Sequence, residues 1–107
     1  MALIRCNKGA SIDVTPNTYE LVDTAGTKTQ GTISAGAVNV PSGDWISMAP
    51  SGFSSAVFST QCKFATVFKS DGSITNYGYG NIGTLSLTDV ILIVLTTAGG
   101  DGTVTFS

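Results

Sequence analysis

At 107 residues the chain is long enough for one domain with its own hydrophobic core, and we treat residues 1–107 as a single domain. Charged residues make up only 11% of the chain, the net charge is −2, and the five basic residues are scattered. Nucleic acids and anionic membrane surfaces are bound mainly through clustered basic residues, so this composition argues against both as partners. The longest apolar run has six residues, far fewer than the ~20 that cross a bilayer.

The N-terminal residues lack the charged leader and long apolar segment of a signal peptide. We therefore expect no signal peptide. In a protein that is not exported, free thiols are the expected state of the two cysteines, Cys6 and Cys62. A disulfide between Cys6 and Cys62 is the alternative if their strands are neighbours.

Short segments rich in β-branched and aromatic residues follow one another along the chain, separated by turn residues. The segments with strand character are residues 3–6, 11–15, 18–22, 32–40, 45–48, 54–69, 74–77, 84–88, 90–95 and 103–106. Residues 23–31 are polar and bounded by glycine, which predicts a loop. The Asp71-Gly72 pair predicts a type I′ hairpin turn.

Residues 54–69 show the clearest alternation of apolar and polar positions. This alternation places Phe58, Phe64 and Phe68 on the core side of the sheet and the lysines on the solvent side. The segment is either one long bent strand or two strands that meet near residues 59–61.

The most apolar stretch is residues 90–95, which a glycine-rich turn follows. Length, β-branched residues and the glycines favour a buried strand over a helix. Alternate residues of a strand face opposite sides, so Val90, Leu92 and Val94 form one side and Ile91, Ile93 and Leu95 the other. Both sides are apolar and both need cover. We predict that one side joins the core and that Ile91, Ile93 and Leu95 contact another subunit; cover by residues 3–6 or 18–22 of the same chain is the alternative.

The pattern as a whole predicts an all-β fold, because no stretch sustains a helical period over three turns. We expect an antiparallel β-sandwich or jelly roll of about seven to nine short strands. The expected core consists of Phe58, Phe64, Phe68, Val104, Phe106 and one side of residues 90–95.

Residues that carry chemistry are few. The chain has no histidine, which excludes Ser–His and Cys–His nucleophile systems. Two distant cysteines do not supply the about four ligands of a structural zinc, and the acids have no EF-hand spacing. Nothing in the spacing of the acids favours a glycosidase-type carboxylate pair. We predict no catalytic residue, no metal ligand and no cofactor, and we expect that the protein is not an enzyme.

Aromatic side chains near turns are the other candidates for binding. Trp45, Tyr77 and Tyr79 lie in or beside predicted loops, and Asn81 could donate and accept hydrogen bonds next to them. Such rings could stack on a sugar. The alternative is that they fill the core or anchor a protein interface.

Several features occur together: a Met1-Ala2 start without a leader, no histidine, few charges, Ser/Thr/Gly-rich strands and a very apolar strand near the C-terminus. In this combination the chain resembles small bacteriophage virion proteins, such as head decoration proteins, head-fibre or tail modules and capsid-stabilising β-sandwiches. The resemblance covers the composition of the whole chain. It implies a non-enzymatic role in an assembled virion and assigns no functional residue.

We therefore expect a non-enzymatic structural protein, located in the virion, that acts by subunit–subunit contact. Its expected partners are copies of itself, for example in a trimer, or capsid or tail proteins. The alternative function is a small carbohydrate-binding module that uses Trp45, Tyr77, Tyr79 and Asn81. Neither nucleic acid nor a membrane is an expected partner.

Overall fold

The structure, a computed structural model, describes residues 16–33, 36–78 and 82–107. In this part of the chain it consists of ten β-strands and contains no helix, which confirms the all-β prediction. The strands are β1 (Thr18–Val22), β2 (Lys28–Thr32), β3 (Gly36–Val40), β4 (Trp45–Met48), β5 (Ser55–Phe58), β6 (Cys62–Lys69), β7 (Ile74–Gly78), β8 (Thr84–Ser86), β9 (Val90–Thr97) and β10 (Gly102–Phe106). The predicted strands at residues 3–6 and 11–15 lie outside the described residues.

Two antiparallel sheets pack together as a β-sandwich, as the sequence predicted. One sheet has six strands in the order β2-β1-β4-β9-β6-β7, and the other has four in the order β3-β10-β5-β8. Only the pairs β1–β2 and β6–β7 are hairpins within one sheet; every other pair of consecutive strands crosses from one sheet to the other. The most apolar strand, β9, therefore lies in the middle of the larger sheet, between β4 and β6.

The first hairpin is tighter than the predicted loop over residues 23–31. The turn occupies only residues 23–27, where the Asp23 carboxylate accepts hydrogen bonds from the backbone N–H groups of Ala25 (2.9 Å) and Thr27 (2.8 Å). β2 follows directly and pairs with β1 along its length. The polar composition of β2 hid this strand. Its Gly31 leaves room for the Tyr19 ring, which crosses the strand where a side chain would stand.

The second hairpin also differs from its predicted turn type. Gly72 has a φ of 88°, but Asp71 is not among the residues with positive φ, so the turn is not type I′. The N–H of Gly72 donates to the carbonyl of Lys69 (3.0 Å), and the N–H of Lys69 donates to the carbonyl of Ser73 (3.0 Å). This is the pattern of a three-residue loop with a left-handed glycine at its end.

The core lies between the two sheets. Phe58, Val104 and Phe106 are buried there, as predicted. From the larger sheet the fully buried side chains include Ile46, Met48 and Val67. Phe53 is partly buried against this core, with its ring centroid 5.4 Å from that of Phe106.

Two predicted core residues, Phe64 and Phe68, lie instead on the outer side of the six-stranded sheet. Residues 54–69 form two strands that break at residues 59–61, which was one of the two predicted arrangements. The register between β6 and β9 then shifts between Cys62 and Phe64. Because one extra residue reverses the alternation, Ala65 and Val67 face the core and Phe64 is 45% exposed. The core assignment of Phe64 was wrong, and Phe68 is only half-buried.

The prediction that Ile93 and Leu95 form a contact surface was also wrong. Both are fully buried in the core, because the four-stranded sheet covers this side of β9. A second register shift near the start of β9 brings Val90 into the core as well, and Ile91 is half-buried. The alternative, cover by residues 18–22, was wrong as well, because these residues form β1 in the same sheet as β9, and residues 3–6 lie outside the described residues.

Turns that cross between the sheets meet at one end of the sandwich. The hydroxyl of Thr97 donates to the carbonyl of Pro41 (2.8 Å), and the N–H of Gly43 donates to the carbonyl of Thr97 (3.0 Å). The neighbouring N–H of Ala98 donates to the carbonyl of Gln61 (3.1 Å). These bonds fix the point at which β4 begins, and β4 begins with Trp45.

Candidate contact surface

The outward side of strands β4, β9, β6 and β7, which we call the outer apolar face, carries large exposed side chains. Trp45 is 50% exposed, Phe64 45% and Ile74 58%. Trp45 and Phe64 stand on the same side of the six-stranded sheet, because their neighbours Ile46 and Ala65 point into the core and side chains alternate along a strand. Ile74 shares this side because it lies opposite Phe68, which is two alternations from Phe64 on β6.

The strand register arranges this face in rows. Trp45 lies opposite Thr96, Thr96 opposite Phe64, and Phe64 opposite Gly78. The next row is formed by Ser47, Val94, Thr66 and Asn76, and a third by Leu92, Phe68 and Ile74. Leu92 is fully buried and Val94 and Phe68 are half-buried, so this side is exposed mainly at Trp45, Phe64 and Ile74. Adjacent strands are about 4.8 Å apart, so the rings of Trp45 and Phe64 stand roughly 10 Å apart on one surface.

Polar groups on the outer apolar face already have partners within the chain. The Thr96 hydroxyl donates to the carbonyl of Asp44 (2.9 Å), and the Thr66 hydroxyl donates to Oδ1 of Asn76 (2.8 Å). A partner that covered these hydroxyls would therefore leave their donor groups satisfied, which lowers the cost of removing water from the face.

Charged side chains lie along the border of the outer apolar face. At the outward positions that the register pairs across β4, β9, β6 and β7 none of the described residues is charged, but Lys63, the unpaired residue of the β6 bulge, directly precedes Phe64. On the neighbouring strands the same side of the sheet carries two charged side chains, Glu20 on β1 and Lys28 on β2. The Glu20 carboxylate accepts a hydrogen bond from Nε2 of Gln30 at 3.3 Å. The middle row of the face is thus uncharged but mixed, with Val94 beside the hydroxyls of Ser47 and Thr66, and the border towards β2 is charged.

The two described residues of the predicted aromatic site do not share one surface. Trp45 lies on the outer apolar face, whereas Tyr77 pairs with Ala65, points to the opposite side and packs against the core. Tyr79 and Asn81 lie outside the described residues. Of the predicted site residues that the structure describes, Trp45 is the one that is exposed, while Ile93 and Leu95 are in the core and Ile91 is half-buried.

Sequence reasoning missed two members of the outer apolar face, Phe64 and Ile74. Phe64 was missed because alternation was extended through the bulge that follows Cys62. Ile74 follows the Ser70–Ser73 turn and was read only as the start of a strand. The sequence did contain a signal for this error. If Phe64 pointed into the core, the apolar residues Ala65 and Val67 would have to face water.

Titratable groups do not form a reactive centre in the described part of the chain. No group of three or more Cys, Asp or Glu side chains stands close enough there to hold a metal ion. Burial raises the pKa of the Cys62 thiol, which is free. The hydroxyl and N–H of Ser73 lower the pKa of the exposed Asp71 carboxyl, which fits a turn residue rather than a proton donor. Cys6 lies outside the described residues, and none of the described segments is a helix able to cross a bilayer.

Comparison of the chain with protein-family models, with curated proteins and with solved structures found no match. The functional assignment therefore depends on the geometry of the outer apolar face.

Proposed function

We propose that this protein is a non-enzymatic structural subunit that acts by contact between copies of itself, through the outer apolar face. The observation that carries the proposal is the exposure of Trp45, Phe64 and Ile74 on one side of the six-stranded sheet. Large aromatic side chains that are half exposed on a rigid sheet are typical anchors of protein interfaces. The resemblance in composition to phage virion proteins supports a place in an assembled particle such as a phage head or tail.

The face is rigid, which favours contact over chemistry. Trp45 and Phe64 each alternate with a side chain locked in the core, Ile46 beside Trp45 and Ala65 beside Phe64. A partner that binds such a preformed surface loses little conformational entropy on the side of this chain. A low content of charge in the whole chain also lowers the repulsion between copies.

Trp45 offers a direct test, because it is the only tryptophan of the chain. With increasing protein concentration, we expect the mass from light scattering to rise above that of the monomer. Over the same range the Trp45 emission should shift to shorter wavelength and its quenching by acrylamide should fall. If Trp45 stays equally accessible at all concentrations, the outer apolar face is not a contact between copies.

A matched pair of variants distinguishes specific association through the outer apolar face from non-specific hydrophobic association. Trp45→Ser should weaken the association by about tenfold or more, as expected for an interface anchor. Val57→Ser removes a side chain that is 46% exposed on the outward side of the four-stranded sheet, and we expect it to leave the association unchanged. Equal effects of the two variants would contradict the proposal. Circular dichroism and thermal melting show that each variant folds.

A further inference from the structure

The outer edge of β7 lacks the features that normally prevent strand edges from pairing. Natural edge strands are blunted by short length, lysine, proline or a bulge. Among the edges of the described sheets, β8 has only three residues, β2 carries Lys28, and β3 runs into Pro41. β7 has five residues, all uncharged and none of them proline, and it pairs with β6 in a regular register.

The hydrogen bonds of the hairpin show which way the backbone of β7 points. The N–H of Lys69 donates to the carbonyl of Ser73 at 3.0 Å, so these residues form a hydrogen-bonded pair. Such pairs alternate along an antiparallel ladder, and Thr75 and Tyr77 therefore direct their N–H and C=O groups at β6.

The remaining residues of β7 face away from the sheet. The N–H and C=O groups of Ile74, Asn76 and Gly78 point to the open edge, where the described residues offer them no partner. The side chain of Ile74 stands on the outer apolar face and is the most exposed large apolar side chain of that face, at 58%.

We propose that a second copy of this chain pairs its own β7 with this edge, antiparallel, about a two-fold axis at Asn76. Asn76 then lies opposite Asn76 of the second copy, and Ile74 lies opposite Gly78. Ile74 and Gly78 are equally far from Asn76, so the same alignment serves both copies, as a two-fold contact requires. All three outward-facing residues enter hydrogen-bonded pairs, and the two six-stranded sheets become one sheet of twelve strands.

Side-chain shapes favour this alignment. Gly78 has no side chain, and the Phe64 ring lies over it: a Cβ added at Gly78 would stand 3.8 Å from Cδ1 of Phe64. In the pair, Ile74 of one copy lies opposite Gly78 of the other, next to that ring. Small opposite large thus lets Ile74 pack on Phe64, which covers the most exposed apolar side chain of the face.

This pairing does not depend on the proposed contact through the outer apolar face. It joins two copies side by side, so both outer apolar faces point the same way and the continuous apolar surface doubles from four strands to eight. The edge contact could exist without any stacking of faces, and faces could stack without it.

A proline at the centre of the edge tests the pairing. Asn76→Pro removes the outward N–H but no bond to β6, so edge strands tolerate it. We expect the dissociation constant of the dimer, from sedimentation at several concentrations, to rise by at least about tenfold. Asn76→Ala is the matched control, because it loses the Thr66 hydrogen bond and keeps the N–H; its dissociation constant should stay within about threefold of the unmodified protein.

The outcomes are decisive in both directions. A chain that remains monomeric at all concentrations, or equal dissociation constants for Asn76→Pro and Asn76→Ala, overturns the pairing. If Asn76→Pro abolishes the dimer while Trp45 still becomes buried at high concentration, both contacts exist and are separate. If the dimer persists through β7 while Trp45 stays accessible, the proposed function fails and the edge pairing stands.

A cysteine at the same position gives an independent measurement. Opposed residues of a hydrogen-bonded pair have Cα atoms about 5.5 Å apart, which suits a disulfide. Asn76→Cys should form a covalent dimer under mild oxidation. Gln30→Cys places a cysteine on the opposite edge strand, β2. This variant should form no more covalent dimer than the unmodified protein, which carries the same native cysteines. Equal cross-linking of the two variants overturns the two-fold alignment.

Discussion

The two outward sides of the sandwich differ in chemistry although the same chain forms both. The side of the four-stranded sheet, which we call the outer polar face, is formed by Asn39, Thr103, Thr105, Ser55, Thr84 and Ser86, with Val57 as its only large apolar side chain that is exposed among the described residues. The outer apolar face carries Trp45, Phe64 and Ile74 in the larger sheet. One side thus exposes mainly hydroxyl and amide groups, and the other exposes large apolar side chains.

This difference explains the unusual composition of the chain. Serine and threonine hydroxyls keep the outer polar face hydrated without charge, and threonine also suits a pleated strand. The low content of charge therefore has two separate causes: a neutral hydroxyl surface on one side and an apolar surface on the other. Only the second exposes large aromatic and aliphatic side chains, on which the proposed contact depends.

The largest expected effect contrasts the interior with the outer apolar face. Phe58 is 6% exposed and Phe64 is 45% exposed. Phe58→Ala should lower the free energy of unfolding by about 3–5 kcal/mol, because it leaves a cavity in the core. Phe64→Ala should cost less than about half as much. Urea denaturation with an unchanged m-value measures both.

Leucine variants keep this contrast testable if Phe58→Ala does not fold. Phe58→Leu should still cost more than Phe64→Leu. If the two phenylalanines cost the same, β6 has no bulge after Cys62, and the exposed position of Phe64 is wrong.

The elements of the fold could be predicted from the sequence better than their faces. The strands at Thr18–Val22 and Trp45–Met48 follow from local composition and bounding turns, and so does the break near residues 59–61. β2 escaped because its residues carry no apolar pattern: its place depends on Tyr19 crossing Gly31, a contact between strands that no local signal reveals.

Only part of the candidate surface could be predicted, because the outward side of a strand depends on its register. Trp45 was found because an aromatic residue beside a turn is a sound candidate for exposure. Which side of β6 and β9 is outside depends on two register shifts, after Cys62 and after Phe68. A shift of one residue exchanges the two sides of a strand, and a sequence in which both sides are apolar gives no warning of it.

A lysine introduced on either outward side of the sandwich should affect self-association differently. Thr66→Lys stands in the middle of the outer apolar face, and Thr105→Lys stands on the outer polar face. Thr66→Lys should weaken self-association by about tenfold or more, because an interface would bury the ammonium group without a partner. Thr105→Lys should leave it unchanged.

Stability separates this effect from misfolding. Thr66→Lys gives up the hydrogen bond to Asn76, which is worth about 1 kcal/mol, so we expect only a small drop in melting temperature. Thr105→Lys should melt within a few degrees of the unmodified protein. If Thr105→Lys disrupts association as strongly as Thr66→Lys, the two outward sides do not differ in function.

The smallest expected effect concerns Cys62, which lies between the two sides, where the chain crosses from β5 to β6. Burial raises the pKa of its thiol above the ordinary 9.0. The unfolded chain therefore loses this proton at a lower pH than the folded chain. The stability that Cys62 contributes is complete below about pH 9 and is lost as the pH rises through the folded pKa.

Two measurements check this behaviour. At pH 8.5 iodoacetamide should modify Cys62 about tenfold or more slowly in the folded protein than in urea, because both the thiolate and access to it are scarce. Mass spectrometry of peptides separates Cys62 from Cys6. Between pH 9 and pH 10.5 the free energy of unfolding should fall more steeply for the unmodified protein than for Cys62→Ala, which cancels the titration of tyrosines and lysines common to both. Parallel slopes, or rapid alkylation in the folded state, would mean that the corner between the sheets is open to water, and then the separation of the two outward sides by a closed core would not hold at this end of the sandwich.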